Sequence, residues 1–204
     1  MVSFKERVRN AIIQGASDYK DVFLGYEYLV YSTGFTQQPY YVINALITNY
    51  LHLTGVSTPL STYEFFNKGL QGTLVEEDFS FIKRDKNNNE INVKGAVRQK
   101  VQALELMPKL FLQNLVAEES FSQKSISCSL ATSDNKITMG FINDIDAKPK
   151  TLLWGNELTK SKIVDITLIL KRNRGEGKFD TIVKGDVKKF QESFSEMLAE
   201  TLQV

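Results

Sequence analysis

The second half of the chain alternates apolar and polar residues in short segments, and this pattern constrains the fold more than any other feature of the sequence. The alternation begins near Glu119 and continues to about Gly185. Successive side chains of a strand point to opposite faces, so a two-residue period is typical of strands with one buried face. Ser, Asn, Asp, Gly and Pro residues between the segments predict tight connections. The predicted strands are SFSQ, ISCSLATS, KITMGFIND, TLLWG, IVDITLILKR and KFDTIVKG.

Helical spacing dominates the first half and returns near the C-terminus. Phe4, Val8, Ile12 and Ile13 lie on one helical face, which predicts an amphipathic helix that ends before Gly25. A polar loop, 86–92, precedes another such pattern, which Pro108 interrupts. Besides the first helix, helical spacing predicts three more, over 61–70, 92–107 and 186–202.

Two segments rich in aromatic and β-branched residues, 25–33 and 40–53, follow the first helix. Gly34 and Pro39 supply turn chemistry between them, so we predict an antiparallel strand pair with His52 at the end of its second strand. Helices in the first half and strands in the second predict an α+β fold with a curved, mostly antiparallel sheet and helices packed on it. A length of 204 residues fits one domain over 1–204.

Composition narrows the classes of function. Lys and Arg number 25 against 24 for Asp and Glu, so any basic surface must be local. No segment is apolar for long enough to be a signal peptide or to span a membrane, and we expect a cytoplasmic protein. The lone Cys128 lies in an alternating run and is interpreted as a small core side chain rather than a nucleophile.

The motifs of common cofactor and metal sites are missing from the sequence. It contains no glycine-rich phosphate loop, no paired-cysteine zinc pattern, no HExxH and no GxSxG, and we expect neither a metal nor a cofactor. Metal-free RNA cleavage needs only a base for the ribose 2′-hydroxyl, an acid for the leaving oxygen and cations for the phosphate. The chain contains side chains for each of these roles.

His52 is the only histidine and the first candidate for proton transfer. Its ordinary pKa of about 6.5 suits exchange of a proton near neutral pH, and Thr54 and Gly55 follow closely. A single histidine cannot be both base and acid, so a lysine, tyrosine or carboxylate would take the second role. The alternative is a histidine at the surface with no chemical role.

Basic residues supply two candidate substrate-binding groups. Lys94 and Arg98 are four residues apart on one helical face, a spacing that suits a phosphate clamp, and Lys100 follows them. Solvated helix faces carry such residues too. Further on, four lysines bracket Thr151 and Trp154, where an aromatic ring among cations is typical of RNA binding. A buried Trp154 is the competing interpretation, and the lysines of this second group are Lys148, Lys150, Lys160 and Lys162.

The succession of motifs resembles the phage-associated branch of the barnase, EndoU, colicin and RelE-like nuclease domains. The similar segments are NYLHLTGVST with His52 to Gly55, then YEFFNKGLQGTLVEEDFSF, then VKGAVRQKVQAL with Lys94 and Lys100. PKTLLWG and VDITLILKR are similar as well, so the resemblance extends from about Tyr26 to Val183. Tyr50 stands where the family has phenylalanine. The resemblance implies a metal-independent ribonuclease or toxin-like domain of phages and mobile elements, acting in the bacterial host.

These observations lead to two main hypotheses. In the first, the protein cleaves RNA. The residues assigned to this reaction are His52 for the proton, Lys94 and Arg98 for the scissile phosphate, Thr54 and Thr151 for hydroxyl contacts, and Lys100, Lys171 and Trp154 for further substrate binding. In the second, a catalytically inactive phage or mobile-element protein uses the same surface to bind a host protein or nucleic acid. A homo-oligomer formed through an exposed sheet edge is a third alternative, and the oligomeric state stays open.

Overall fold

The computed structural model describes residues 2–143 and 146–203. The first helix ends before Gly25, as predicted, after a π-helical turn at Lys20–Leu24. Pro108 starts a 3-10 segment, Met107–Leu112, at the end of the fourth helix. The α-helices are α1 (Phe4–Tyr19), α2 (Tyr50–Thr54), α3 (Thr62–Leu70), α4 (Lys94–Leu106) and α5 (Lys188–Phe194).

The strands are short, and most lie where alternation predicts them. The predicted strand KITMGFIND ends at Asp144, which lies outside the described residues, and ISCSLATS is divided at Cys128 and Ser129. The strands are β1 (Tyr26–Tyr31), β2 (Tyr40–Asn44), β3 (Ile82–Arg84), β4 (Glu90–Asn92), β5 (Val116–Glu119), β6 (Ser122–Gln123), β7 (Ile126–Ser127), β8 (Leu130–Ser133), β9 (Ile137–Ile142), β10 (Asp146–Trp154), β11 (Val164–Asp165), β12 (Leu168–Asn173) and β13 (Thr181–Gly185).

Nine of the described strands form one curled sheet in the order β11-β5-β8-β9-β10-β2-β1-β12-β13. Its neighbours pair antiparallel except β2 and β10, which run parallel where Val42 faces Asp146 and Ile43 faces Ala147. The expected α+β fold with a mostly antiparallel sheet is confirmed. The predicted pair of β1 and β2 is present, with Tyr31 opposite Tyr40.

Both faces of the sheet are covered. On one face, α1 and its neighbouring helices pack over residues such as Ile43, Leu152 and Ile169. The opposite face buries Leu29 and Val42 under the C-terminal segment. Adjacent residues of β2 thus belong to different cores, as the two-residue period of a strand requires. Among the described residues, none of the helices is both long and apolar enough to cross a bilayer.

The prediction that residues 40–53 form one strand is wrong beyond Asn44. The chain turns through a 3-10 segment, Ile47–Asn49, into α2, so His52 lies on a short helix. Tyr50, Leu53 and Thr54 are the buried residues of α2, and their spacing of three and four is helical. Gly55 ends the helix with a left-handed φ of 77°.

Two other predictions need correction. The C-terminal helix ends at Phe194 rather than at Leu202, because the chain then pairs with Phe179, whose N–H donates to the Met197 carbonyl at 2.8 Å. The predicted polar loop 86–92 is partly a strand, since β4 pairs with β3 around a turn that the Asp85 carboxylate stabilises.

Candidate active site

His52 borders a pocket of about 440 Å³ that four separate elements enclose. Besides His52 on α2, the pocket is lined by Lys83 on β3, Lys100 on α4 and Lys150 on β10. These residues are far apart in sequence. The fold therefore gathers one imidazole and three ammonium groups around a single opening.

Lys100 connects the walls of this pocket. Its ammonium donates to the His52 carbonyl at 3.2 Å, to Thr151 Oγ1 at 3.3 Å and to the Leu152 carbonyl at 2.9 Å. The first acceptor belongs to α2 and the other two belong to β10. Since three protons of one ammonium bridge helix and sheet, Lys100 holds the backbone of His52 against β10.

Gly55 makes room for this bridge. A Cβ built at Gly55 would overlap Cδ of Lys100, so the lysine stem crosses the backbone where only a glycine leaves enough space. The left-handed φ of 77° also favours glycine at this position. Gly55 thus ends α2 and also leaves space for the Lys100 side chain.

The electrostatics of the pocket favour an anion. His52 is an exposed residue, but its partial burial still lowers its pKa, and the charges of the three lysines lower it further. Burial likewise lowers the pKa of Lys83, and burial together with the charge of Lys83 lowers that of Lys100 to about 8. Among the described residues, no carboxylate lies within 4 Å of these four groups, and none lines the pocket. Cations without acidic partners attract phosphates.

The predicted hydroxyl residues lie beside the pocket but are engaged with protein groups. Thr151 is buried, and its Oγ1 accepts a hydrogen bond from the Lys100 ammonium. Thr54 is also buried, and its Oγ1 donates to the Leu51 carbonyl at 2.8 Å. Both hydroxyls therefore stabilise the protein structure around the pocket through hydrogen bonds to other residues.

Lys94 and Arg98 lie on another face of α4. Each places its cationic group 5.3 Å from the centre of the Phe4 ring on α1. A helix turns by roughly 100° per residue, so Arg98 is roughly 200° from Lys100 around the axis. Arg98 lines a separate groove between α1 and α4. The structure thus brings together His52, Lys100 and Thr151, and it separates Lys94 and Arg98 from them.

Trp154 and Lys171 lie outside the pocket lining. Trp154 is 42% exposed at the end of β10, so the interpretation of a buried ring is wrong. Lys171 lies over the ring of Tyr26, with its Nζ 4.4 Å from the ring centre. It belongs to β12, the third strand from β10, and strands are spaced by about 4.8 Å, which puts these two strands about 14 Å apart.

Sequence reasoning missed Lys83 and left Lys150 as one of several lysines near Trp154. Lys83 belongs to the short hairpin β3–β4, whose alternating IKR segment was a weak signal. Lys150 has its Nζ 2.8 Å from the Ser127 carbonyl. Nothing local marks either residue as a neighbour of His52, because strand pairing and helix docking create that proximity.

Cys128 and the possible metal ligands are the remaining side chains that could carry chemistry. Burial raises the pKa of the Cys128 thiol to about 11, which confirms a core side chain and keeps the thiol protonated. Within residues 2–143 and 146–203, no three His, Cys, Asp or Glu side chains converge as metal ligands.

A comparison with protein-family models matches residues 11–199 to the family described as phage-Barnase-EndoU-ColicinE5/D-RelE like nuclease 4. The chain belongs to this family. Comparison with curated proteins found no match, and comparison with solved structures found none either. The family match confirms the resemblance that the sequence motifs indicated. The match spans His52 and all three lysines, so the pocket lies inside a phage-type, nuclease-like domain.

Proposed function

We propose that this protein is a metal-independent ribonuclease that uses general acid and base catalysis. The observation that carries the proposal is the pocket in which the one histidine meets three lysines, with no carboxylate among the described residues that line it. A phosphodiester fits these charges, and membership of a nuclease-like family supports nucleic acid as the substrate class. The ribose 2′-hydroxyl supplies an internal nucleophile, so this chemistry needs no metal-bound water.

His52 is the base in the proposed reaction. It takes the proton of a ribose 2′-hydroxyl while that oxygen forms a bond to the adjacent phosphorus. The bond from phosphorus to the 5′ oxygen of the next nucleotide breaks, and this oxygen takes a proton from an acid. The products are a 2′,3′-cyclic phosphate and a 5′-hydroxyl. A lowered pKa keeps the imidazole unprotonated near neutral pH, as a base must be.

Lys83 is the proposed acid. Its ammonium faces the pocket and makes no hydrogen bond or ion pair with another residue in the described part of the chain. Burial lowers its pKa, which makes it a stronger proton donor than a solvated lysine. Lys150 contacts the phosphate in this scheme. Lys100 is a positioning residue, because its protons are directed at protein acceptors.

Cleavage of a labelled single-stranded RNA in EDTA tests the proposal. We expect the native protein and the surface variant Lys178→Ala to produce cyclic-phosphate ends. His52→Ala should be slower by about 10²- to 10⁴-fold, the usual contribution of a general base. A strand with 2′-deoxyribose at the cleavage site should stay intact.

Equal cleavage by the native protein and His52→Ala would contradict the assignment of the base. Activity that appears only after a divalent metal is added would contradict metal independence. If RNA is bound but never cut, the alternative of an inactive binding protein replaces the enzyme.

A further inference from the structure

A second cationic site lies on α1 and α4, around the ring of Phe4. Lys94 and Arg98 place their charged groups 5.3 Å from the ring centre, and Arg7 places its guanidinium carbon at 5.9 Å. We call these three residues with the ring the Phe4 cluster. It contains the two cations that the sequence predicts as a phosphate clamp and that the His52 pocket does not use.

The cations of the Phe4 cluster are exposed. No carboxylate of the described residues lies within 4 Å of Arg7, Lys94 or Arg98. Their attraction to the aromatic face orients them but leaves their charge uncompensated. Three like charges around one ring repel each other, and an anion placed among them relieves this repulsion.

A groove of about 600 Å³ opens beside the cluster, between α1 and α4. Arg7 and Arg98 line one end of it, whereas Asp18 and Glu105 line the other. An anion is therefore attracted to the end at Phe4 and repelled from the opposite end. The basic end of the groove, beside Phe4, is therefore the part that suits a phosphate.

The Phe4 cluster is close to the His52 pocket. Phe81 packs on Phe4 with ring centres 5.3 Å apart, and Lys83 of the pocket follows Phe81 by two residues. Two residues of an extended chain span about 7 Å. Ala96 and Lys100 of α4 line the pocket, and Lys94 of the same helix belongs to the cluster.

Small residues form the surface of α4 between the two sites. Gly95 separates Lys94 from Ala96, which lines the pocket, and both Gly95 and Ala96 are exposed. A Cβ built at Gly95 would meet no atom within 4 Å beyond its chain neighbours, so the space directly above Gly95 is open. Since Gly95 has no side chain and Ala96 has only a methyl group, this part of α4 presents little side-chain bulk to a crossing strand.

We propose that the Phe4 cluster binds backbone phosphates of a single-stranded RNA whose neighbouring phosphate occupies the His52 pocket. This inference rests on the proposed function. The strand crosses α4 at Gly95 and Ala96, and Arg7, Lys94 and Arg98 neutralise the phosphates beyond the crossing. The cluster contributes affinity through charge and does not take part in bond cleavage.

Salt-dependent binding of uncleavable 2′-O-methyl RNA tests the cluster independently of cleavage. Fluorescence anisotropy compares a twelve-nucleotide strand, which reaches both sites, with a dinucleotide, which occupies the pocket alone. For Arg7→Gln with Arg98→Gln, we expect weaker binding of the long strand and a slope of log affinity against log salt that is smaller by about 1.4, since each single-strand contact contributes about 0.7. Dinucleotide binding should be unchanged.

Two variants serve as controls. Lys178→Gln with Lys189→Gln removes two exposed charges elsewhere and should leave the slope unchanged. Arg7→Lys with Arg98→Lys retains the charges and should restore most of the slope, which separates loss of charge from loss of folding. An unchanged slope in the Gln pair, or an equal loss for both probes, overturns the inference. If the native protein binds as expected but cuts no RNA, only the proposed catalysis fails.

Discussion

His52 titrates in the field of three lysines, so its protonation reports on the geometry of its pocket. A neighbouring cation disfavours the imidazolium, and so does removal of water from the ring. Both effects lower the pKa of His52. The neutral imidazole is therefore the prevailing form at neutral pH, which is the form that accepts a proton.

The pKa of His52 provides the first prediction. With one histidine in the chain, proton NMR resolves its ring signals without assignment, and we expect a pKa below 6.5. Lys100→Met removes a facing charge and should raise this pKa, whereas Lys178→Met should not change it. A value at or above 6.5 in the native protein would show that the lysines do not face the ring.

Gly55 provides the second prediction. In Gly55→Ala, the new Cβ meets Cδ of Lys100 in a left-handed conformation, and Lys100 is held by three hydrogen bonds. We expect a loss of about 1–2 kcal/mol in the free energy of unfolding, from the backbone conformation. Urea denaturation measures it. Gly95→Ala is the matched control, because that site is open and helical, and it should be neutral or gain up to about 1 kcal/mol. Equal effects of the two changes would refute the close approach.

At the scale of elements, α2 depends on its surroundings. Five residues are too few for a helix that is stable by itself. Tertiary contacts hold it instead: Tyr50 donates its hydroxyl proton to the Ile12 carbonyl of α1 at 2.6 Å, and Lys100 binds the His52 carbonyl. His52, the proposed base, is thus carried by an element that α1, α4 and β10 hold in place.

Removal of the hydroxyl in Tyr50→Phe tests this dependence. We expect a cost of about 1 kcal/mol for the buried hydrogen bond, and faster amide exchange in residues 50–54. Tyr63→Phe, at a residue that is 56% exposed, is the control and should change stability by less than about 0.5 kcal/mol. Unchanged exchange in α2 would mean that other contacts fix the helix.

At the scale of the whole molecule, the sheet separates the site from a second core. The pocket lies on the face covered by α2 and α4, while Phe190 of α5 is fully buried on the opposite face with Leu29 and Leu168. The stability of the second core and the proposed chemistry of the His52 pocket therefore depend partly on different faces of one sheet.

Phe190→Ala tests this separation. A buried phenylalanine truncated to alanine costs about 3–5 kcal/mol, so we expect a large fall in the midpoint of urea unfolding. The pKa of His52 should stay at its native value where the variant is folded. Leu112→Ala, at a residue that is 63% exposed, should have little effect on either quantity. A shift in the His52 pKa would show that the two faces are coupled.

Local patterns were sufficient for much of the fold. The capping box of Ser61 and Glu64 marks α3, and the Glu64 carboxylate accepts the Ser61 N–H at 3.0 Å as that motif requires. Residues 47–53 were wrongly predicted as strand, since β-branched and aromatic residues favour strands. Burial of Tyr50, Leu53 and Thr54 against other helices favours a helix instead. Tertiary packing outweighed local propensity there.

The sequence by itself determined the α+β class and the family, and it singled out one histidine as the candidate for proton transfer. Helical spacing also placed Lys94 and Arg98 on a common face, because four residues complete about one turn. Only the tertiary structure decided which face of α4 borders His52, and it selected Lys100 with Lys83 and Lys150. The physical reason is that spacing relates residues within an element, whereas the meeting of elements depends on how their buried faces pack.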